Sequence, residues 1–206
     1  MQNVKYIKRM SYWILSFSLL FGFSSMANGS DINNAQDRVI NVTRGIVQDL
    51  ETNKVLYKQQ PALLENMVRK GVLPFIDFDA MGKLTLGKHW RTASRSQRVR
   101  FIKAYREMLV RSYGKLMLKY AGANIRAGNS VAGKKSGYMT VRTIVTPRGG
   151  APIKANYDVR NTSGDWKAYN VQIAGINLIT NFRTNFTREV SSKGLDALIA
   201  RIEKIK

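Results

Sequence analysis

The hydrophobic spacing of this chain changes from helical to alternating beyond Gly122, and that one change restricts the folds open to it. The longest helical segment opens at Ser94–Gln97, which has the Ser-x-x-Gln form of a capping box. Along it Phe101, Ile102, Tyr105, Leu109, Tyr113, Leu116, Met117 and Tyr120 make one apolar stripe. Arg98, Arg100, Lys103, Arg106, Arg111, Lys115 and Lys119 take much of the remaining surface, and Gly122 suits a C-cap. Further on, Met139, Val141, Thr143 and Val145 alternate with Thr140, Arg142 and Thr146. After a turn at Pro147–Gly150, Ile153, Ala155, Tyr157 and Val159 alternate with Lys154, Asn156, Asp158 and Arg160. A turn at Asn161–Asp165 leads into Trp166–Ala174, where Tyr169, Val171 and Ile173 are expected to share a face. With one more strand from 123–132, this makes about four antiparallel strands with one apolar and one wet face.

Helices flank that meander in sequence. Residues 34–57 read as an amphipathic helix, with Val39, Val42, Ile46 and Leu50 at three- and four-residue spacing and Arg38, Arg44 and Asp49 between them. Pro61 suits the first turn of a second helix, Pro61 to Lys70, with Leu64, Met67 and Val68 inward; Gly71 and Pro74 then stop it. Residues 75–90 form a short apolar helix and a turn, and 178–192 and 195–205 return to helix. The class is α+β, a curved antiparallel sheet with helices packed on its apolar face. Helix stripe and sheet could fill the space between them or enclose a cavity, and periodicity does not choose.

The N-terminus reads as a cleavable signal peptide. Lys5, Lys8 and Arg9 precede an apolar stretch from Tyr12 to Phe23, shorter than the ~20 residues a spanning helix needs. Ser25 and Ala27 fit the −3 and −1 positions for cleavage after Ala27, and Ala27 with Gly29 offers a second register. The chain has no Cys, so a lipoprotein anchor, disulfides and Cys-based metal sites are excluded. The expectation is an exported, soluble domain spanning 28–206. Residues 1–27 hold three of the 21 net positive charges, and subtracting them leaves +18 on the other 179 residues. Such an excess calls for an anionic partner, nucleic acid or the face of a lipid membrane. Export disfavours nucleic acid. So do the aromatics, which lie mainly on apolar stripes rather than as platforms on a basic face.

Groups for catalysis are scarce. His89 is the one histidine, and it stands between Lys88 and Trp90 where capping or surface exposure explains it. Zinc would need several of only thirteen acidic residues. Asp77 and Asp79 precede a helix, where an N-cap or first-turn role accounts for them. Gly149–Gly150 is a hairpin turn rather than a phosphate loop. From residue patterns alone the chain is an exported basic α+β binding protein and not an enzyme, with no metal and no cofactor.

From Leu73 to Met117 the run LPFIDFDAMGKLTLGKHWRTASRSQRVRFIKAYREMLVRSYGKLM resembles the MlaC-like (toluene-tolerance) phospholipid-binding family of Gram-negative periplasms. The matching elements are Pro74 to Asp77, Leu86–Gly87 with Trp90, the Ser94 to Gln97 cap, and the helix from Arg98 to Tyr113. A second block, GDWKAYNVQIAGINLITNFRTNF, is similar to the family's Gly-x-Trp strand and Gly-x-x-Leu helix entry at Gly164, Trp166, Tyr169, Gly175, Leu178, Phe182, Arg183 and Phe186. KGLDALIARI, from Lys193 to Ile202, looks like its final helix. The likeness runs over roughly 34–202. It departs at Asn177, where Ser is common, and over 123–137, which does not align.

The resemblance implies a periplasmic carrier that shuttles phospholipid between an outer-membrane lipoprotein complex and an inner-membrane ABC transporter with an MCE-domain subunit, maintaining outer-membrane lipid asymmetry. Two acyl chains expose about 30 methylenes, on the order of 20 kcal/mol at ~0.8 each, so a carrier must close an apolar cavity around them. Lining candidates are Leu73, Phe75, Met81, Leu84, Phe101, Tyr105, Leu109, Val141, Tyr157, Val171 and Ile173, each of which core packing would equally explain. Arg183 is the candidate for the headgroup phosphate, against a salt bridge in the helix layer. The carrier is expected to be a monomer with no cofactor beyond its lipid cargo. The competing reading is a basic periplasmic adaptor that binds an anionic partner with no internal ligand.

Overall fold

A computed structural model describes residues 29–205. The signal peptide expected at 1–27 lies outside them.

The first helix, α1 (Gly29–Thr52), starts earlier than its periodicity suggests and breaks before α2 (Lys54–Gln59). Asn53 marks the break with a non-helical φ of −105° and ψ of 14°: its side-chain amide donates to the Asp49 carbonyl at 3.3 Å and to Asp49 Oδ2 at 3.2 Å, beside the backbone bond from Asn53 N–H to the same carbonyl at 2.9 Å. α3 (Pro61–Met67) opens on Pro61 as expected. It does not stop at Gly71 but passes into a π-helical turn, Val68–Val72, and a 3-10 turn, Leu73–Phe75. Next come α4 (Phe78–Leu86), the short α5 (His89–Thr92) and α6 (Arg95–Met117). Both halves of the α6 capping box form: Gln97 N–H donates to Ser94 Oγ at 3.1 Å and Ser94 N–H to Gln97 Oε1 at 3.0 Å.

The strands are β1 (Asn124–Ala127), β2 (Val131–Ala132), β3 (Tyr138–Thr146), β4 (Ile153–Thr162), β5 (Asp165–Ile173) and β6 (Ile176–Asn177), followed by α7 (Leu178–Lys193) and α8 (Leu195–Glu203). They make one antiparallel sheet in the order β1-β3-β4-β5-β6, with β2 also on β3. The count is six rather than about four because β2 and β6 are two-residue strands too short to carry an alternation. Beside the first half of β5, Ile76 forms a parallel bridge to Ala168, and Asp77 N–H donates to the Ala168 carbonyl at 2.8 Å.

One face assignment is corrected. Asp158 pairs with Asn170 but Val159 pairs with Ala168, so Tyr169 is an extra residue in β5. The bulge resets the alternation. Trp166 and Ala168 lie on the same apolar face as Val171 and Ile173, while Tyr169 turns to the other side and meets Tyr138, ring centroids 5.9 Å apart.

Helical cover is also distributed differently from the pattern. α1 lies on the apolar sheet face, where Ala35 and Val39 pack with Met139, Val141, Val159, Trp166 and Ala168, and Ile40 and Val47 with Ile125, Val145 and Ala155. The α6 stripe instead builds a second core with α4, α7 and α8, centred on Phe101, Tyr105, Phe186 and Ile199. A third cluster, with Leu50, Leu64, Val68 and Val110, joins α1, α3 and α6.

Candidate functional site

The sequence-derived lining residues divide between the two larger cores. Met81, Phe101 and Tyr105 lie in the helical core, with Leu73, Leu84 and Leu109 packed on it. Phe75 and Val141 lie in the sheet core with Tyr157 against them, and the Phe75 and Tyr157 rings are 6.4 Å apart. Val171 pairs with Tyr157 across β4–β5, and Ile173 reaches the open end of the sheet, 36% exposed.

What joins the two cores is the segment Leu73–Ile76. Leu73 packs on both the helical core and the α1–α3 cluster, and Ile76 packs on both the helical core and the sheet core. Pro74 holds this segment out of a regular helix, and Asp77 ends it as the N-cap of α4, accepting from Ala80 N–H at 3.0 Å. Asp77, 8% exposed, also pairs with Arg160 of β4. Its first role is the one its position suggested; the tie to the sheet is an addition.

Two clefts flank the π-helical turn. The first, about 440 Å³, opens over the seam and is lined by Arg69, Leu73, Pro74, Ile76, Arg106, Glu107 and Lys167. The second, about 640 Å³, runs between α1 and α2–α3 over Val42, Ile46, Leu56, Leu63 and Met67. At its edge the Tyr57 hydroxyl donates to Asp49 Oδ1 at 2.5 Å, and burial together with that carboxylate pushes the phenol up to about 12.

Tyr105 and Tyr157 are packed among other apolar side chains. Tyr105 is fully buried, stacked on Phe101 at 5.4 Å and met edge-on by Phe182 at 5.5 Å. Burial pushes the phenols of Tyr105 and Tyr157 up, and for Tyr105 the bond from the Thr85 hydroxyl only partly offsets it. Asp158 sits on the opposite face of the sheet, accepting from Thr140 Oγ1 at 2.7 Å and Asn170 Nδ2 at 2.9 Å. His89 lies 3.5 Å from Ser191 Oγ at an exposed position, so nothing brings it to Asp158. Among the described residues no cluster of His, Asp and Glu could hold a metal ion, and no helix is long and apolar enough to cross a membrane.

Arg183 projects from α7 onto the end of α4. Its Nε–H donates to the Leu84 carbonyl at 2.6 Å, and its second terminal nitrogen donates to the same oxygen. Sequence reasoning passed over Ile76, Pro74, Arg69 and Lys167, and took Arg106 as one more charge on a polar helix face. The apolar run across Leu73–Ile76 with a proline inside it is the signal that marked the seam.

A family model described as "MlaC protein" matches residues 41–204, a span holding the sheet, the helical core and the seam. The chain belongs to the MlaC family. It is 26% identical over 162 residues to the intermembrane phospholipid transport system binding protein MlaC of Haemophilus influenzae, covering 77% of this chain and 76% of that one. It is 30% identical over 163 residues to the toluene tolerance protein ttg2D of Pseudomonas putida, covering 78% and 74%. The fold also matches the structure of a phospholipid-binding protein from Ralstonia solanacearum, in complex with a phospholipid. The TM-score is 0.75 and the identity 19%, over 83% of this chain and 96% of that one.

Proposed function

We propose that this MlaC-family chain is a periplasmic phospholipid carrier that runs between an outer-membrane lipoprotein complex and an inner-membrane ABC transporter with an MCE-domain subunit. Its task there is to help maintain outer-membrane lipid asymmetry. The observation that carries the reading is the seam: two apolar cores meet along Leu73–Ile76 under an open cleft, in a family of which the Haemophilus influenzae relative is named as the binding protein of an intermembrane phospholipid transport system. Acyl chains entering there would slide between the sheet face (Phe75, Val141, Tyr157, Val171, Ile173) and the helical core (Leu73, Met81, Leu84, Phe101, Tyr105, Leu109). Burying about 30 methylenes at ~0.8 kcal/mol each offsets the cost of parting the two cores. The carrier performs no bond chemistry, and its net positive charge draws it to anionic membranes or partners.

The test is organic extraction of protein purified from a Gram-negative periplasm, followed by mass spectrometry. About one phospholipid per chain is expected. A preparation that holds no lipid, and takes none up from vesicles, would overturn the carrier and leave the basic adaptor.

A further inference from the structure

Resting on the carrier reading, we propose that the cleft over Leu73–Ile76 is a phosphate subsite, where Arg106 and Lys167 receive the headgroup phosphate of the carried lipid. Three cations and one carboxylate line this cleft. Arg69 is held by Glu107 and by Glu65, the latter at 3.2 Å, so its charge is already met by two carboxylates. Arg106 and Lys167 make no ion pair or side-chain hydrogen bond among the described residues, whereas Arg38, Arg100, Arg148, Arg160 and Arg201 all pair with carboxylates. Arg106 is exposed, and its guanidinium carbon stands 4.9 Å from the Phe78 ring centroid, a cation–π contact that leaves its N–H donors free for another group. Lys167 reaches the same cleft from β5, half-buried beside the Ile76–Ala168 bridge.

Position makes these two charges more than surface basicity. The floor beneath them is Leu73, Pro74 and Ile76, of which Leu73 packs on the helical core and Ile76 on both cores. A phosphate held there would leave its acyl chains aimed into the seam. The second cleft lacks this: Lys70 is its one cation, and Asp49 lies on its lining. The only carboxylate of the first cleft, Glu107, is engaged by Arg69, so the group recognised is the phosphate itself, from a lipid or from a free phosphate.

The deciding measurement is release of pyrene-labelled phosphatidylglycerol from loaded protein to phosphatidylcholine acceptor vesicles, which removes anionic docking from the rate. R106Q/K167Q is expected to release lipid about tenfold faster, the loss of two charge-assisted contacts, each weakened at a partly solvated site. R106K/K167R keeps both charges and should hold lipid nearly as wild type does. K134Q/K135Q lowers the net charge equally at two exposed lysines and should leave release unchanged. In parallel, the Arg106 Nε–H resonance of lipid-stripped protein should shift on loading with phosphatidylglycerol and not with equimolar inorganic phosphate. Equal release from R106Q/K167Q and a lipid-bearing wild type would overturn the subsite while the carrier reading stands. A shift with inorganic phosphate alongside unchanged lipid release would assign the cleft to the free ion and overturn the lipid assignment. A wild type that never loads lipid fails the carrier reading instead.

Discussion

Replacing Asp77 removes two interactions at the end of the seam, and the pair of substitutions D77A and D77N separates them. Asp77 caps α4 through the 3.0 Å bond from Ala80 N–H, and loss of such a cap costs about 1 kcal/mol. Its other oxygen meets Arg160, whose side chain is 32% exposed against 7% for the carboxylate. That burial lies between an exposed pair, worth at most about 1 kcal/mol, and a buried pair, whose rupture costs about 3–5, so about 2 kcal/mol is appropriate. D77A should therefore lose about 3 kcal/mol, and D77N, which keeps a good capping side chain, about 2. With a urea m-value of about 2 kcal/mol/M the midpoints fall by about 1.5 M and 1 M. Equilibrium urea unfolding by far-UV circular dichroism measures both, and R160A with D77A/R160A completes the cycle. If D77N unfolds with the wild-type midpoint, or the double variant loses the full sum of the singles, the Asp77–Arg160 tie does not hold α4 to the sheet.

Tyr105→Ala empties the middle of the helical core and should cost about 4 kcal/mol in the same assay, whereas Tyr105→Phe, giving up only the 3.4 Å bond from Thr85, should cost about 1 or less. Gly87 has φ +56°, and a Cβ there would meet the Arg183 side chain at 3.5 Å, so Gly87→Ala should lower stability by about 1–2 kcal/mol, seen as a fall in Tm. Glu189 accepts three bonds of 2.7–2.9 Å from Arg201, which holds its carboxyl below the ordinary value. Its folded pKa is the lower one, so its stabilisation is present above the unfolded value near 4.5 and is lost as pH falls through the folded value. Glu189→Gln should be less stable than wild type at pH 6, by no more than about 1 kcal/mol because Arg201 is half exposed, with the gap closing in urea melts below pH 4.

Elements governed by local chemistry were legible in the sequence. The Ser94–Gln97 cap, Pro61 at a helix start, the turn at Pro147–Gly150 and the alternation of β3 and β4 all follow from residues close in sequence, and each stands where its pattern put it. The misassigned face in β5 has an equally local cause that alternation cannot register. Counted by twos from Ile173, Val171 and Tyr169 share a side and Trp166 falls on the other; only the pairing of Val159 with Ala168 shows that one residue is extra. The Asn53 break is of the same kind, since Val39, Ile46 and Leu50 keep their spacing up to it and the side chain that interrupts the helix is polar.

The site was less legible because it is made of contacts between elements rather than within them. The α6 stripe is apolar whatever it packs on, and nothing in its spacing distinguishes a sheet from the helices that in fact cover it, while α1 lies on the strands. Arg106 shows the same limit. In the sequence it is equivalent to Lys103 one turn earlier, and both are exposed. It becomes distinct only when α4 places Phe78 beneath it and β5 brings Lys167 to the same cleft. A lipid carrier must be apolar inside and wet outside, which periodicity can show, but it must also have one place where the two meet with positive charge at the edge. In this chain the proline-bearing segment Leu73–Ile76 puts Phe75 in the sheet core and packs Ile76 on both cores, and Arg106 and Lys167 line the cleft above it.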